Sequence, residues 1–181
     1  ITLWGDKVAA CEADDWEAYV VSRTATPAPQ SPFGLIQERF AVEPWKMLCV
    51  CILIMRCSSE NIKETCIRRF FEAFATPSAL LEAHPSDVEA IIKPLGLFHE
   101  SRWPSLVGLS ERWLQLPRFE MATKGEFKVP GCGPFCVDSF HLFCKDDWSS
   151  EPTDKALLQF WRWRKTQPTA AVDDVESKFV D

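Results

Sequence analysis

Two features of the chain combine residue types and spacing that could do chemistry. One is the hexapeptide Val129-Pro130-Gly131-Cys132-Gly133-Pro134; the other is Asp154, twenty-one residues beyond Gly133. An apolar residue, Pro and Gly-x-Gly ahead of an amphipathic stretch predict a tight hairpin between two helices. Its glycines permit positive φ and a close approach by another backbone. Free amides and the dipole at the start of the next helix form an anion site. Such a site can hold one phosphate of a nucleic-acid backbone without reading bases. The plainer alternative is a Gly-Pro turn between helices. A helix through Phe143 and an exposed Lys145-Asp146-Asp147 turn can bring Asp154 back beside the hairpin; its plainer role is a helix N-cap.

These groups need a scaffold, and the pattern is helical throughout. Thr24 to Pro32 (TATPAPQSP) has linker composition, so residues 1–30 read as a poorly ordered lead-in. Ser31-Pro32 predicts a capped helix running to Phe40. Glu43-Pro44 opens a nearly all-apolar central helix over Trp45 to Met55, and Asn61 to Phe74 follows as an amphipathic helix. Thr76-Pro77 and Ser86-Asp87 predict caps for two short helices, Ser78 to Ala83 and Val88 to Ile92. Pro and Gly make Lys93 to Leu97 a loop. Further helices are expected at Arg102 to Leu116, Phe135 to Lys145 and Asp154 to Lys165, with 117–127 irregular and 166–181 a polar, acidic tail. The expected fold class is all-α.

Composition excludes some functions. The 181 residues are 46% hydrophobic and 25% charged, as in an ordinary soluble globular protein with core enough to fold without disulfides or metal. The apolar run Met47 to Met55 is too short to span a bilayer, and Ile1 to Asp15 lacks the basic start of a signal peptide. A net charge of −6 argues against generic nucleic-acid binding. Residues 32–165, however, hold seventeen basic and seventeen acidic side chains, so the excess acid lies in the tails and suits a protein partner there. Of the eight cysteines, none forms a C-x2-C pair. They read as small core residues of a reducing compartment, with a zinc site on Cys132 and Cys136 as the weaker alternative.

The hairpin with its later aspartate resembles the helix-hairpin-helix DNA glycosylase superfamily. Within it, Ser31-Pro32-Phe33-Gly34-Leu35-Ile36-Gln37-Glu38, Pro44-Trp45-Lys46-Met47-Leu48, Lys93-Pro94-Leu95-Gly96-Leu97-Phe98, and Asp138-Ser139-Phe140 with Phe143-Cys144 are similar to the thymine glycosylases that carry a methyl-CpG-binding domain. The likeness runs in order from about Ser31 to Lys165 and marks 31–165 as the glycosylase domain. It implies two helical subdomains with a cleft, a monomer, a nuclear location and double-stranded DNA as partner. The implied activity is excision of thymine or uracil mispaired with guanine, after flipping the base out of the duplex.

Residue by residue, Asp154 matches the family's catalytic aspartate, whose charge suits an oxocarbenium-like sugar and an attacking water. Ile36, Gln37 and Phe135 match the base pocket, with Gln37 on the base edge and Phe135 on its face. A solvated Gln37 and a core Phe135 are the alternatives. Arg56 and Leu97 match residues that contact the distorted strand and fill the vacated gap, though Leu97 also suits a core. Gly131, Gly133 and Lys155 complete the expected DNA contacts. Phe135 stands where lyase-competent relatives place a lysine, so no Schiff base is expected there. No cysteine follows Cys144, so no iron–sulfur cluster is expected; the resemblance allows a monovalent cation on hairpin carbonyls. Phe135 for tyrosine, Met55 for asparagine, Pro134, Cys136-Val137 and Lys155-Ala156 depart from the family pattern. They leave open a second function, a catalytically degenerate module that binds DNA or a protein.

Overall fold

A computed structural model describes residues 16–115 and 118–168. They form α1 (Trp16–Arg23), a 3-10 turn (Ile36–Phe40), α2 (Pro44–Ile54), α3 (Glu60–Ala73), α4 (Pro77–Glu82) and α5 (Pro85–Ile92). A 3-10 turn (Lys93–Leu95) and a π-helical turn (Phe98–Arg102) then lead into α6 (Trp103–Gln115). The hairpin follows, then α7 (Pro134–Ser139), which runs on as a π-helical turn (Phe140–Cys144), and α8 (Lys155–Arg164). Among the described residues there is no strand, only an isolated bridge between Ala122 and Lys128.

The apolar run explains the architecture. Pro44 starts α2 without an amide to satisfy, and Met47 through Leu53 are all 0% exposed. A helix apolar on every side must be wrapped, and α2 contacts α3, α6, α7 and the 36–40 turn. One continuous core results, in which the Trp45 indole donates to Ser110 Oγ on α6 at 3.1 Å. Among the described residues no helix is long and apolar enough to cross a membrane.

The structure departs from expectation at four places. The lead-in is not loose throughout: α1 precedes the Pro-rich stretch, and Arg23 lies over the Trp113 ring and donates to the Trp113 carbonyl. Backbone amides of Thr26 and Ala28 then bond the carbonyls of Cys144 and Phe143. Ser31 caps no helix: its Oγ accepts from the Phe33 amide in a turn, its amide and hydroxyl donate to the Glu38 carboxylate, and the helical turn starts only at Ile36. His84, not Ser86, caps α5, its ring nitrogen accepting from the Ser86 amide. The two later helices each include a π-helical turn. Residues 1–15 and the tail beyond Pro168, including Cys11, lie outside the described residues.

Candidate functional site

The hairpin is held by α6. Gly131 has φ +76°, and its Cα hydrogen faces Ser105 so closely that a Cβ there would sit 2.2 Å from Ser105 Oγ. Pro130 lies against Gly108 one turn further along α6, within 3.1 Å of where a side chain on Gly108 would begin. Gly133 differs. Its φ is −89°, it forms the N-cap position of α7, and nothing lies within 4 Å of its absent side chain. The expectation of left-handed backbone and close approach thus fits Gly131 and not Gly133. The Cys136 and Val137 amides turn inward to Gly133 O, whereas the Gly131 and Gly133 amides have no internal partner among the described residues.

The return loop brings Asp154 into the same cleft as Phe135, which follows the hairpin. Arg164, 2% exposed, closes that loop by gripping Asp146 with two bonds of 2.6 Å, from Nε to Oδ1 and Nη2 to Oδ2. Asp154 then caps α8: its Oδ1 accepts from the amides of Ala156 at 2.9 Å and Leu157 at 3.1 Å. Both bonds fall on one oxygen. Oδ2 has no partner among the described residues, and the α8 N-terminus favours negative charge there.

A cleft of about 560 Å³ opens between these helices and the 34–37 turn. Ile36, Gln37, Arg56, Phe135 and Asp154 all line it, with Leu35, Ile54, Met55 and Ala156 as further apolar wall. Gln37 is 4% exposed, so it is not a solvated helix residue, yet its amide bonds no described residue. A shielded amide left open toward a cavity is available to a ligand. Phe135 is half-buried at the rim of the core cluster. Glu38 fixes the turn that carries Ile36 and Gln37, its carboxylate accepting from Ser31 N (2.6 Å), Ser31 Oγ (2.9 Å) and Leu35 N (2.9 Å).

Four expected residues lie outside the cleft wall. Leu97 is 40% exposed and not core, while Gly131, Gly133 and Lys155 are also exposed. Arg56 and Leu97 share an unusual trait, positive φ without being glycine, at +56° and +51°. Two cleft residues escaped the sequence reading: Lys63 and Glu60, which pair at 2.7 Å on α3. Their i,i+3 spacing after the Ser59 cap was the available signal.

Among the described residues the cysteines belong to the core, with Cys57 half-buried at its edge. Cys49, Cys51, Cys66, Cys132, Cys136 and Cys144 are buried, and burial pushes the Cys49, Cys51 and Cys144 thiols up. Among the described residues no group of three or more His, Cys, Asp or Glu could hold a metal ion. A second cavity, of about 300 Å³ beside Trp45 and Trp113, has only Glu43 and Lys46 as ionisable groups. Those two pair at 2.6 Å.

The site is thus that of a helical protein with a half-apolar cleft, one open amide, one open carboxylate oxygen and two basic side chains, Arg56 and Lys63, the latter paired with Glu60. No family model matches the chain. Over 134 residues it is 28% identical to a methyl-CpG-binding domain protein 4-like protein of Arabidopsis thaliana, an alignment covering 74% of this chain and 28% of that protein. The chain therefore spans less than a third of that relative's length.

Proposed function

We propose that the chain is a monofunctional DNA glycosylase acting in the nucleus on thymine or uracil mispaired with guanine in double-stranded DNA. The observation that carries this reading is the shared cleft of Ile36, Gln37, Phe135, Arg56 and Asp154. Likeness to a protein named for methyl-CpG binding supports DNA as the partner. A flipped pyrimidine enters with its face on Phe135 and its edge on the Gln37 amide. Cleavage of the N-glycosidic bond sends its electron pair to the departing base and leaves positive charge on the sugar. Asp154 Oδ2 stabilises that charge and takes a proton as water adds to C1′. Gly131 and Gly133 present amides to a backbone phosphate. Lys155, exposed beside Asp154, adds positive charge at the rim. The Val129 and Gly131 carbonyls each accept one internal hydrogen bond and keep a second lone pair, so the hairpin remains compatible with a monovalent cation, which takes no part in the bond cleavage.

One observation favours a second reading, a module that grips DNA or a protein without chemistry. Phe135 offers no phenol and Met55 no amide, so Gln37 is the one uncharged hydrogen-bonding side chain in the cleft wall. Single-turnover base release separates the two, using G·T, G·U and fully paired duplexes with wild type and Asp154→Asn, with and without alkali. Alkali-dependent nicking at the mismatch, lost in the variant, is expected. No release from any duplex with binding intact means the gripping module. Nicking without alkali assigns an amine to the chemistry, and Lys63 is the amine in the cleft wall.

A further inference from the structure

Arg56 and Leu97 are forty-one residues apart in sequence and belong to different turns, yet one side chain serves both. Arg102 is 2% exposed. Its Nη1 donates to the carbonyl of Gly96 at 2.6 Å, immediately before Leu97. Its Nη2 donates to the carbonyl of Met55, immediately before Arg56, and reaches Leu53 O at 3.5 Å. The π-helical turn adds a backbone tie, with the Arg102 amide donating to Leu97 O at 3.0 Å. No carboxylate among the described residues pairs with this guanidinium, so its buried charge is met by peptide carbonyls alone.

Such an arrangement needs arginine. Five N–H donors in a rigid planar fork can hold two separate carbonyl groups at once, whereas the lysine ammonium is a point charge on a flexible stem. Both turns it ties are strained: Arg56 and Leu97 have left-handed φ, and Gly96 has φ +71° with ψ −177°, a region open essentially to glycine. Strained backbone persists only where its surroundings over-determine it, and it collects where a side chain must be aimed. Arg56 faces the cleft and Leu97 projects to solvent.

We propose that Arg102 is a positioning residue that locks the Arg56 turn and the Leu97 turn into one rigid unit, so that strand contact and gap filling occur together when the base leaves the stack. This rests on the glycosylase reading for what the two residues touch; the lock itself is a property of the free protein. A duplex that admits Leu97 therefore meets Arg56 already in place.

The test has two arms, with Arg102→Met and Arg102→Lys. In the first, amide hydrogen exchange of the DNA-free protein is followed over 53–58 and 95–99. Both segments should speed up at least tenfold together in Arg102→Met, with α8 unchanged. Arg102→Lys, which retains the charge but not the planar fork, should release one segment more than the other. Unchanged exchange in either segment of Arg102→Met overturns the lock and leaves the glycosylase reading untouched. If Arg102→Met does not fold, wild-type protection of both segments in Arg102→Lys overturns the lock. In the second arm, a duplex with 2-aminopurine beside a G·T mismatch reports unstacking. Wild type should raise its fluorescence, and Arg102→Met should lose most of that rise. Adding Leu97→Ala to Arg102→Met should change nothing more. A full signal from Arg102→Met overturns the proposal. Absence of any signal from wild type overturns the DNA reading, and the proposal's duplex half with it.

Discussion

The two hairpin glycines should behave oppositely when each is given a methyl group. At Gly131 an alanine must adopt φ +76°, and its Cβ falls 2.2 Å from Ser105 Oγ, 2.6 Å from Ser105 Cβ and 2.8 Å from Ser105 Cα. The left-handed conformation costs an L residue about 1–2 kcal/mol. The overlap adds about 1–3 kcal/mol, because Ser105 Cα is backbone and cannot rotate away. Gly131→Ala should therefore lose roughly 2–5 kcal/mol, a fall in melting temperature of several degrees at about 2–4 °C per kcal/mol for a chain this size. Ser105→Gly in the same chain removes two of the three overlaps and should return part of the loss. Gly133→Ala meets nothing within 4 Å at φ −89° and should cost no more than about 1 kcal/mol, the difference between glycine and alanine at an N-cap. Its methyl instead occupies the space a phosphate must enter, so duplex affinity should fall and the salt slope should drop by about one. Thermal melting and fluorescence anisotropy at several salt concentrations read both effects. A stable Gly131→Ala would refute the packing of hairpin on α6, and undiminished binding by Gly133→Ala would refute its phosphate contact.

Asp146→Ala strands the buried Arg164 guanidinium and should cost about 2–3 kcal/mol in chemical denaturation, below the figure for a fully enclosed pair because Asp146 keeps some exposure. Arg164→Met fills the same space without a charge and should cost less. Leu97→Gly removes left-handed strain while loosening the unfolded chain, so melting should shift by less than about 1 kcal/mol. Mismatch unstacking should be lost with the wedge. Burial pushes the Asp138 carboxyl up, His141 pulls it back and Asp154 pushes it up again. A carboxyl raised on folding weakens the fold once ionised, and the penalty vanishes as pH falls below the unfolded value. Asp138→Asn should thus raise the melting temperature at pH 7 and leave it unchanged near pH 3.

Local signals carried the reading of α2, the hairpin and the Asp154 cap. Each is written in a short window: an all-apolar run after Pro44, punctuation by Pro and Gly, and an aspartate before an amphipathic stretch. What escaped was set by distant partners. Arg23 ahead of a Pro-rich segment looks like a surface residue, and only Trp113, ninety residues on, makes it an anchor. Ser31-Pro32 has a cap's composition, but the Ser31 hydroxyl oxygen accepts from the Phe33 amide in a turn while its hydroxyl and amide donate to the distant Glu38 carboxylate. Arg102 beside a helix start reads as solvated charge, because the carbonyls it holds belong to turns brought together only by packing of α2 against α6. The cleft itself was legible as a set of residues through the resemblance; Lys63 and Glu60 in its wall were not, since an i,i+3 ion pair is ordinarily a solvated helix face.

Charge at Asp154 is the point on which the two functions divide. A module that only grips DNA gains nothing from a carboxylate in its cleft, since it repels phosphate, and Lys63 is already neutralised by Glu60 at 2.7 Å. Capping α8 does not require the charge either: asparagine or serine can accept the Ala156 and Leu157 amides, and asparagine equals aspartate at N-caps. Asp154→Asn should therefore melt within a few tenths of a kcal/mol of wild type, while Asp154→Ala loses about 1 kcal/mol. Removing the negative charge should also tighten duplex binding, most visibly at low salt. Both functions share those outcomes, so affinity and stability cannot separate them. Only the open oxygen Oδ2 differs in its task, and single-turnover base release measures that task. An enzyme loses release in Asp154→Asn, Asp154→Ser and Asp154→Ala alike, although the first two are folded as well as wild type. Release that instead follows stability, surviving in Asn and Ser and falling only in Ala, would reduce Asp154 to a cap and move the chemistry elsewhere in the cleft.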